Sequence, residues 1–289
     1  MPTLPRMTQT SPDTLPAADG TALHLRRWPA ANALGTVLVV HGLGEHIGRY
    51  AHVAAALDAA GWQVAGYDHR GHGRSAGPRG GLNASDDLLT DLARVIDNVR
   101  ATEPGRLVLL GHSMGGLVAA RFVAEGLAPA PAPWHRPVDA LVLSSPALAL
   151  GMNGIQKLLL AAMGSLAANL AVNNGLKPAW ISRDPAVVQA YGTDPLVHDR
   201  VTAKLVRFML DGGALVQERA PHWTVPTLLL YAGADRCVAP AGSAAFAAAA
   251  PKHAVTTQVF PALLHEIFNE PEQAEVLAAL TRWVGGPKA

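Results

Sequence analysis

The sequence predicts an α/β fold: a mostly parallel central sheet, helices on both faces, and a helical cap inserted over one edge. Three observations lead there. Short, continuously apolar runs recur along the 289 residues, as they do in strands buried on both faces. Helix-like segments separate most of these runs, which implies parallel strands joined by crossovers. The alternation breaks once, over residues 147–222, where the composition reads as helical and no strand pattern appears.

Each element has its own signal. Residues 1–16 hold Pro, Thr and Ser with no apolar core of signal-peptide type, and are read as a flexible leader. Asp19-Gly20 marks a turn, and Thr21–Trp28 alternates apolar and polar like an exposed early strand. Buried strands are expected at Thr36–Val40, Gln63–Tyr67, Leu107–Leu110, Ala140–Leu143, Thr227–Tyr231 and Thr256–Phe260. A helix is expected from Tyr50 to Ala60, closed by Gly61. Another runs from Ser85 to Thr102, with Ser85, Asp86 and Asp87 at its start and Pro104 past its end. Three more are expected at Met114–Glu125, Ala239–Ala250 and Glu272–Val284. The core is therefore 17–146 with 223–289, and 147–222 is the cap. A chain that is 49% hydrophobic is long enough for one such domain with an insertion.

Composition excludes several classes. The net charge is +1, only 16% of residues are charged, and no basic stripe stands out, which argues against nucleic acid as a partner. The single cysteine, Cys237, rules out an internal disulfide and fits a reducing, cytoplasmic compartment. The longest apolar stretch, Leu158–Val172, contains Gly164, Ser165 and Asn169 and falls short of the ~20 residues that span a bilayer. His41, His46, His69 and His72 lack helical H-x-x-x-H spacing and a cysteine partner. No metal and no cofactor are therefore expected.

The chemistry centres on Gly111-His112-Ser113-Met114-Gly115, between an apolar strand and a helix. A G-x-S-x-G there is the setting of a nucleophile elbow, where a sharp turn exposes the serine hydroxyl. An activated serine needs a base and a group to orient that base. In such sheets functional side chains gather at the carboxyl ends of the strands. Asp235 follows the strand ending at Tyr231, and His265 follows the strand ending at Phe260. Taken singly, Asp235 could cap the next helix and His265 could be a surface histidine. Together they give the chain order Ser113, Asp235, His265, with Ser113 as nucleophile, His265 as base and Asp235 as orienter. The oxyanion hole needs backbone N–H donors. Met114, just after the nucleophile, supplies one. Leu43, in the glycine-bearing loop His41-Gly42-Leu43-Gly44, supplies the other.

The stretch His41-Gly42-Leu43-Gly44-Glu45-His46-Ile47-Gly48-Arg49-Tyr50 resembles the HGxGEHxxRY motif of the monoacylglycerol lipase/lysophospholipase family of α/β-hydrolases. Asp68–Ser75, the GHSMGG elbow, Ser182-Arg183-Asp184-Pro185 and Asp194-Pro195-Leu196 match the same family, so the resemblance covers the chain from Asp19 onward. It implies the α/β-hydrolase fold, the triad and the oxyanion donors named above, and no metal. It also implies that Arg49 and His112 help bind the alcohol end of the substrate and that Tyr191 is substrate-binding. Glu45 and Arg49, four apart at a helix start, suit a pair that holds the arginine near the pocket, although a surface ion pair fits the same spacing. Asp68–Ser75 reads as a structural loop that braces the oxyanion loop. Departures from the family are the lack of an acidic residue one turn before Tyr191 and Leu264 in place of a tyrosine before His265.

In the cap, Ile155, Leu158, Leu159, Ala162, Met163, Leu166 and Leu170 share one helical face. Ordinary packing onto the core explains that face. So does a lid helix whose inner side, with Leu159 and Met163, lines an acyl tunnel while its outer side touches lipid aggregates or a membrane surface. The expected function is hydrolysis of medium- to long-chain acyl esters, monoacylglycerol lipase-like, through an acyl-Ser113 intermediate. A lysophospholipase, thioesterase, acyl transferase or short-chain carboxylesterase would use the same machinery. Dehalogenases and epoxide hydrolases need an acidic nucleophile, which Ser113 excludes. A non-catalytic ligand-binding relative would carry a defect in triad or oxyanion loop, and the sequence has none. The oligomeric state is not readable.

Overall fold

The structure, a computed structural model, describes residues 13–103, 105–151 and 167–286. Ten strands occur among them: β1 (Thr14–Pro16), β2 (Ala22–Trp28), β3 (Gly35–Val40), β4 (Gln63–Tyr67), β5 (Arg106–His112), β6 (Ala140–Ser144), β7 (Ala171–Asn173), β8 (Arg200–Thr202), β9 (Thr227–Ala232) and β10 (Val255–Phe260). The helices are α1 (Ala51–Ala59), α2 (Asp87–Thr102), α3 (Met114–Glu125), α4 (Pro185–Thr193), α5 (Ala203–Arg219), α6 (Pro240–Ala249) and α7 (Gln273–Val284).

Eight strands form one sheet in the order β1-β2-β4-β3-β5-β6-β9-β10. From β4 to β10 every pairing is parallel, while β1 and β2 join antiparallel at the edge. Successive side chains point to opposite faces, so one run of apolar residues feeds two cores. Leu38, Val40, Leu107, Leu109, Leu141 and Leu143 pack on one face with α2, α3 and α5. Val37, Val39, Val108, Leu110 and Val142 pack on the other with α1 and α7. This is why β3 and β6 lack polar alternation: all their residues are buried. Each such side chain contributes about 1.5–3 kcal/mol relative to exposure.

The mostly parallel sheet with helices on both faces matches the expected fold, but three details differ. Residues 14–16, expected in the leader, pair with Ala22–His24 as β1. The partner backbone holds this strand, so its own side chains carry no pattern. Residues 147–222 contain β7 and β8, paired antiparallel. With three residues each, they are too short for period-two alternation to show. Within the same stretch, α5 is a core helix: Leu205, Phe208, Met209 and Val216 are buried in the α3 core. No helix among the described residues is long and apolar enough to cross a membrane. Ile155, Leu158, Leu159, Ala162, Met163 and Leu166 lie outside the described residues.

Candidate active site

β5 runs into α3 through Ser113, whose φ of 54° and ψ of −121° are unusual for a residue with a Cβ. The turn forces the backbone so close to β3 that a Cβ at Gly115 would overlap the Val40 and His41 carbonyls. Glycine is required there, and the strained serine projects from the turn.

Three loops bring the chemistry together. Ser113 follows β5, Asp235 follows β9, and His265 follows β10. Nε2 of His265 lies 2.8 Å from Ser113 Oγ, and its Nδ1 lies 2.7 Å from Asp235 Oδ2. The other carboxylate oxygen, Asp235 Oδ1, accepts from the N–H groups of Cys237 and Val238 at 2.8 and 3.1 Å. Burial opposes charge on His265, but the Asp235 carboxylate and its hydrogen bond outweigh this and hold the imidazole above its ordinary value. Burial likewise opposes charge on Asp235, and His265 with the two backbone donors keeps the carboxyl below its ordinary range.

Among the described residues, no hydrogen bond engages the N–H of Leu43 or Met114. Both residues line the cavity that holds Ser113. The loop carrying Leu43 is pinned from several sides. Glu45 Oε1 accepts from Gly42 N–H at 2.6 Å and from the Tyr50 hydroxyl at 2.7 Å. A Cβ on Gly42 would come within 2.9 Å of that carboxylate and 3.1 Å of the Ser113 Cβ. His41 accepts from His69 N–H at 2.9 Å through Nε2. Asp68 accepts from Ile47 N–H and Arg74 N–H, both at 2.8 Å, so the Asp68–Ser75 loop does brace this turn. From the 167–202 segment, His198 N–H donates to Gly44 C=O at 2.8 Å, and Asp194 meets His46 at 2.9 Å.

A cavity of about 530 Å3 opens above Ser113, within the usual ~300–1,000 Å3 of ligand sites. Its walls are mostly apolar, including Leu43, Leu150, Leu176, Trp180, Val206 and Met209, and Arg236 and Asn174 are among its polar lining. Asp235 is the only carboxylate among its described lining residues.

Arg49, His112 and Tyr191 are not among the described residues that line that cavity. Arg49 is occupied elsewhere. It donates to Glu45 at 2.8 Å and forks onto Glu266 at 2.6 and 2.7 Å. Tyr191 stacks on the Arg49 guanidinium at 4.9 Å. His112 packs its ring 4.8 Å from His265 and meets Ser144 Oγ at 3.1 Å. Burial, with His265 next to it, lowers the His112 imidazole to about 4, so it stays neutral beside His265. Leu159 and Met163 lie outside the described residues. Sequence reasoning missed Glu266, although it directly follows His265, and most of the cavity wall. Cys237, whose place two residues past Asp235 fits either a site-lining thiol or a buried small hydrophobe, lines the cavity.

Comparison with known proteins gives a consistent picture. Residues 31–272 match the family described as serine aminopeptidase, S33 (Hydrolase_4). The chain is 37% identical over 262 residues to a monoacylglycerol lipase of Mycolicibacterium smegmatis, covering 89% of this chain and 90% of that one. It is 30% identical to phospholipase YtpA of Bacillus subtilis, over 87% and 95% of the two chains. The crystal structure of a Paleococcus ferrophilus monoacylglycerol lipase superposes with a TM-score of 0.80 at 33% identity, covering 91% of this chain and 98% of the other.

Proposed function

The chain belongs to the serine aminopeptidase S33 (Hydrolase_4) family of α/β-hydrolases, and from that premise we propose how it works. It is a carboxylic ester hydrolase, monoacylglycerol lipase-like. Ser113 Oγ attacks the ester carbonyl as its proton passes to His265 Nε2. Asp235 holds the imidazole in the required tautomer and stabilises the imidazolium. The N–H groups of Leu43 and Met114 receive the developing oxyanion. His265 then protonates the departing alcohol, and water activated by the same imidazole releases the acid from acyl-Ser113.

The observation that carries this reading is the hydrogen-bonded chain Ser113–His265–Asp235 at a mostly apolar cavity. Apolar walls suit a single medium- to long-chain acyl group. With no carboxylate besides Asp235 among the described lining, a peptide's terminal ammonium would find no counter-charge. This favours esters over the peptides that the family description mentions. A lysophospholipase is the second reading, because exposed Arg236 sits at the cavity and a guanidinium suits a phosphate. We further propose that residues 147–202 act as the cap and that exposed Leu170 helps it meet lipid aggregates. The lone cysteine supports a reducing, cytoplasmic setting.

Hydrolysis of p-nitrophenyl esters from acetyl to palmitoyl, beside 1-monoacylglycerol and lysophosphatidylcholine, tests the reading, with Ser113→Ala as the blank. The expected result is a rate that rises towards mid-length chains and onto monoacylglycerol. Activity confined to the shortest esters would replace the lipase reading with a short-chain carboxylesterase. Substantial activity in Ser113→Ala would remove the nucleophile assignment.

A further inference from the structure

We propose that Asp235, Cys237 and His265 form an inhibitory binding site for a thiophilic divalent cation such as Zn2+ or Cd2+. The inference rests on the reading of His265 as the base. One ligand atom from each of the three residues already lies within 4.8 Å of the others. A tetrahedral zinc centre with ligands at about 2.0–2.3 Å spaces its donors roughly 3.3–3.8 Å apart. Closing the trio therefore takes only about 1 Å of side-chain movement.

Three further features favour the site. Asp235 and Cys237 share one tight turn, held by the bonds from the Cys237 and Val238 N–H groups to Asp235 Oδ1. The Asp235 carboxylate is thus set before any ion arrives, with the Cys237 side chain two residues along the same turn. Both residues line the cavity above Ser113, so an ion can approach from that side, and a water in the cavity can supply the fourth ligand. One carboxylate and one thiolate balance a divalent charge, while a soft sulfur and an imidazole select zinc or cadmium over magnesium or calcium.

The chemistry balances with one proton released. The metal displaces the Cys237 thiol proton to solvent and takes His265 Nδ1 as a ligand. The proton formerly on Nδ1 is lost from that nitrogen, and Nε2 takes one up, so the imidazole stays neutral with its tautomer reversed. Nε2–H then faces Ser113 Oγ, 2.8 Å away, and no lone pair remains to accept the serine proton. Bound metal and acylation therefore exclude each other, and a chelator restores the enzyme.

The test uses the full chain, freed of metal by a chelator and titrated with Cd2+, Zn2+ and Mg2+. Two signals are followed: the ultraviolet Cd–thiolate charge-transfer band, and hydrolysis of a p-nitrophenyl ester. Support would be a saturable one-to-one band, loss of hydrolysis with Cd2+ and Zn2+ but not Mg2+, and recovery on chelation. Cys237→Ala should lose the band and need about 10–100-fold more metal for half-inhibition, each enzyme being normalised to its own metal-free rate. Cys237→Ser serves the same purpose where the alanine variant is unstable. No band, or unchanged metal sensitivity in both variants, would overturn the site. A chain that shows the band yet hydrolyses no ester in metal-free buffer would keep the metal site and refute the proposed function.

Discussion

Glu45 gives the sharpest test of how the oxyanion loop is held. Its carboxylate is buried and takes three donors: Gly42 N–H, the Tyr50 hydroxyl and Arg49. Burial opposes its charge, but Arg49 prevails and holds the carboxyl at about 2. In Glu45→Ala, Arg49 keeps its fork on Glu266, whereas Gly42 N–H and the Tyr50 hydroxyl lose their acceptor. Each orphaned buried donor costs about 1–3 kcal/mol, so the two together cost about 2–6 kcal/mol. Gly42 immediately precedes Leu43, so relaxation of its N–H moves the proposed oxyanion donor. Loss of one such donor lowers kcat by about 10²–10³. The donor acts on charge present only in the transition state, so KM for a long-chain ester should change little while kcat falls. The assay is steady-state hydrolysis of p-nitrophenyl esters beside thermal denaturation of the same preparation. A folded Glu45→Ala enzyme with parental kcat would refute the reasoning, since the loop would then hold its geometry without the carboxylate.

Other consequences are equally open to measurement. The base must be neutral to act, and Asp235 holds His265 above its ordinary value. The acid limb of kcat/KM should therefore lie above about pH 6.5, with activity lost as pH falls through it; Asp235→Asn should lower the limb and cut kcat by about 10⁴. Val206→Phe narrows the apolar wall and should depress hydrolysis of the longest p-nitrophenyl esters while sparing the acetate; an unchanged chain-length profile would remove that wall from the acyl site. Buried Arg70 pairs with Asp19, Asp87 and Asp91, so Arg70→Met should cost about 3–5 kcal/mol in urea unfolding. Burial already raises the Asp91 carboxyl, and without Arg70 that effect is unopposed. The variant should then regain part of its stability on mild acidification, as Asp91 takes up a proton.

How much of this was legible depends on how far apart the partners lie in the chain. The elbow and the helix Met114–Glu125 could be read to the residue, because the glycines, the serine and the apolar strand that define them are adjacent. Asp235 and His265 were readable because a parallel sheet puts the ends of its strands on one edge, so order along the chain implies proximity. The apolar cavity was not readable: its wall gathers Leu43, Leu150, Leu176, Val206 and Val238 from separate loops and helices, and no periodicity links them.

Arg49 shows the limit most clearly. Its spacing from Glu45 reports a neighbour one helical turn away, and that pair exists. Spacing is silent about Glu266, 217 residues further on, which takes both arms of the guanidinium. That distant partner makes the arginine a clamp between two loops. Glu45 holds the oxyanion loop and Glu266 adjoins His265, so Arg49 between them ties the loop that would stabilise charge to the loop that carries the base. Local pattern and strand order locate Ser113, Asp235 and His265. The loops that carry them are tied by a contact between the first and last quarters of the chain, which the assembled sheet brings together.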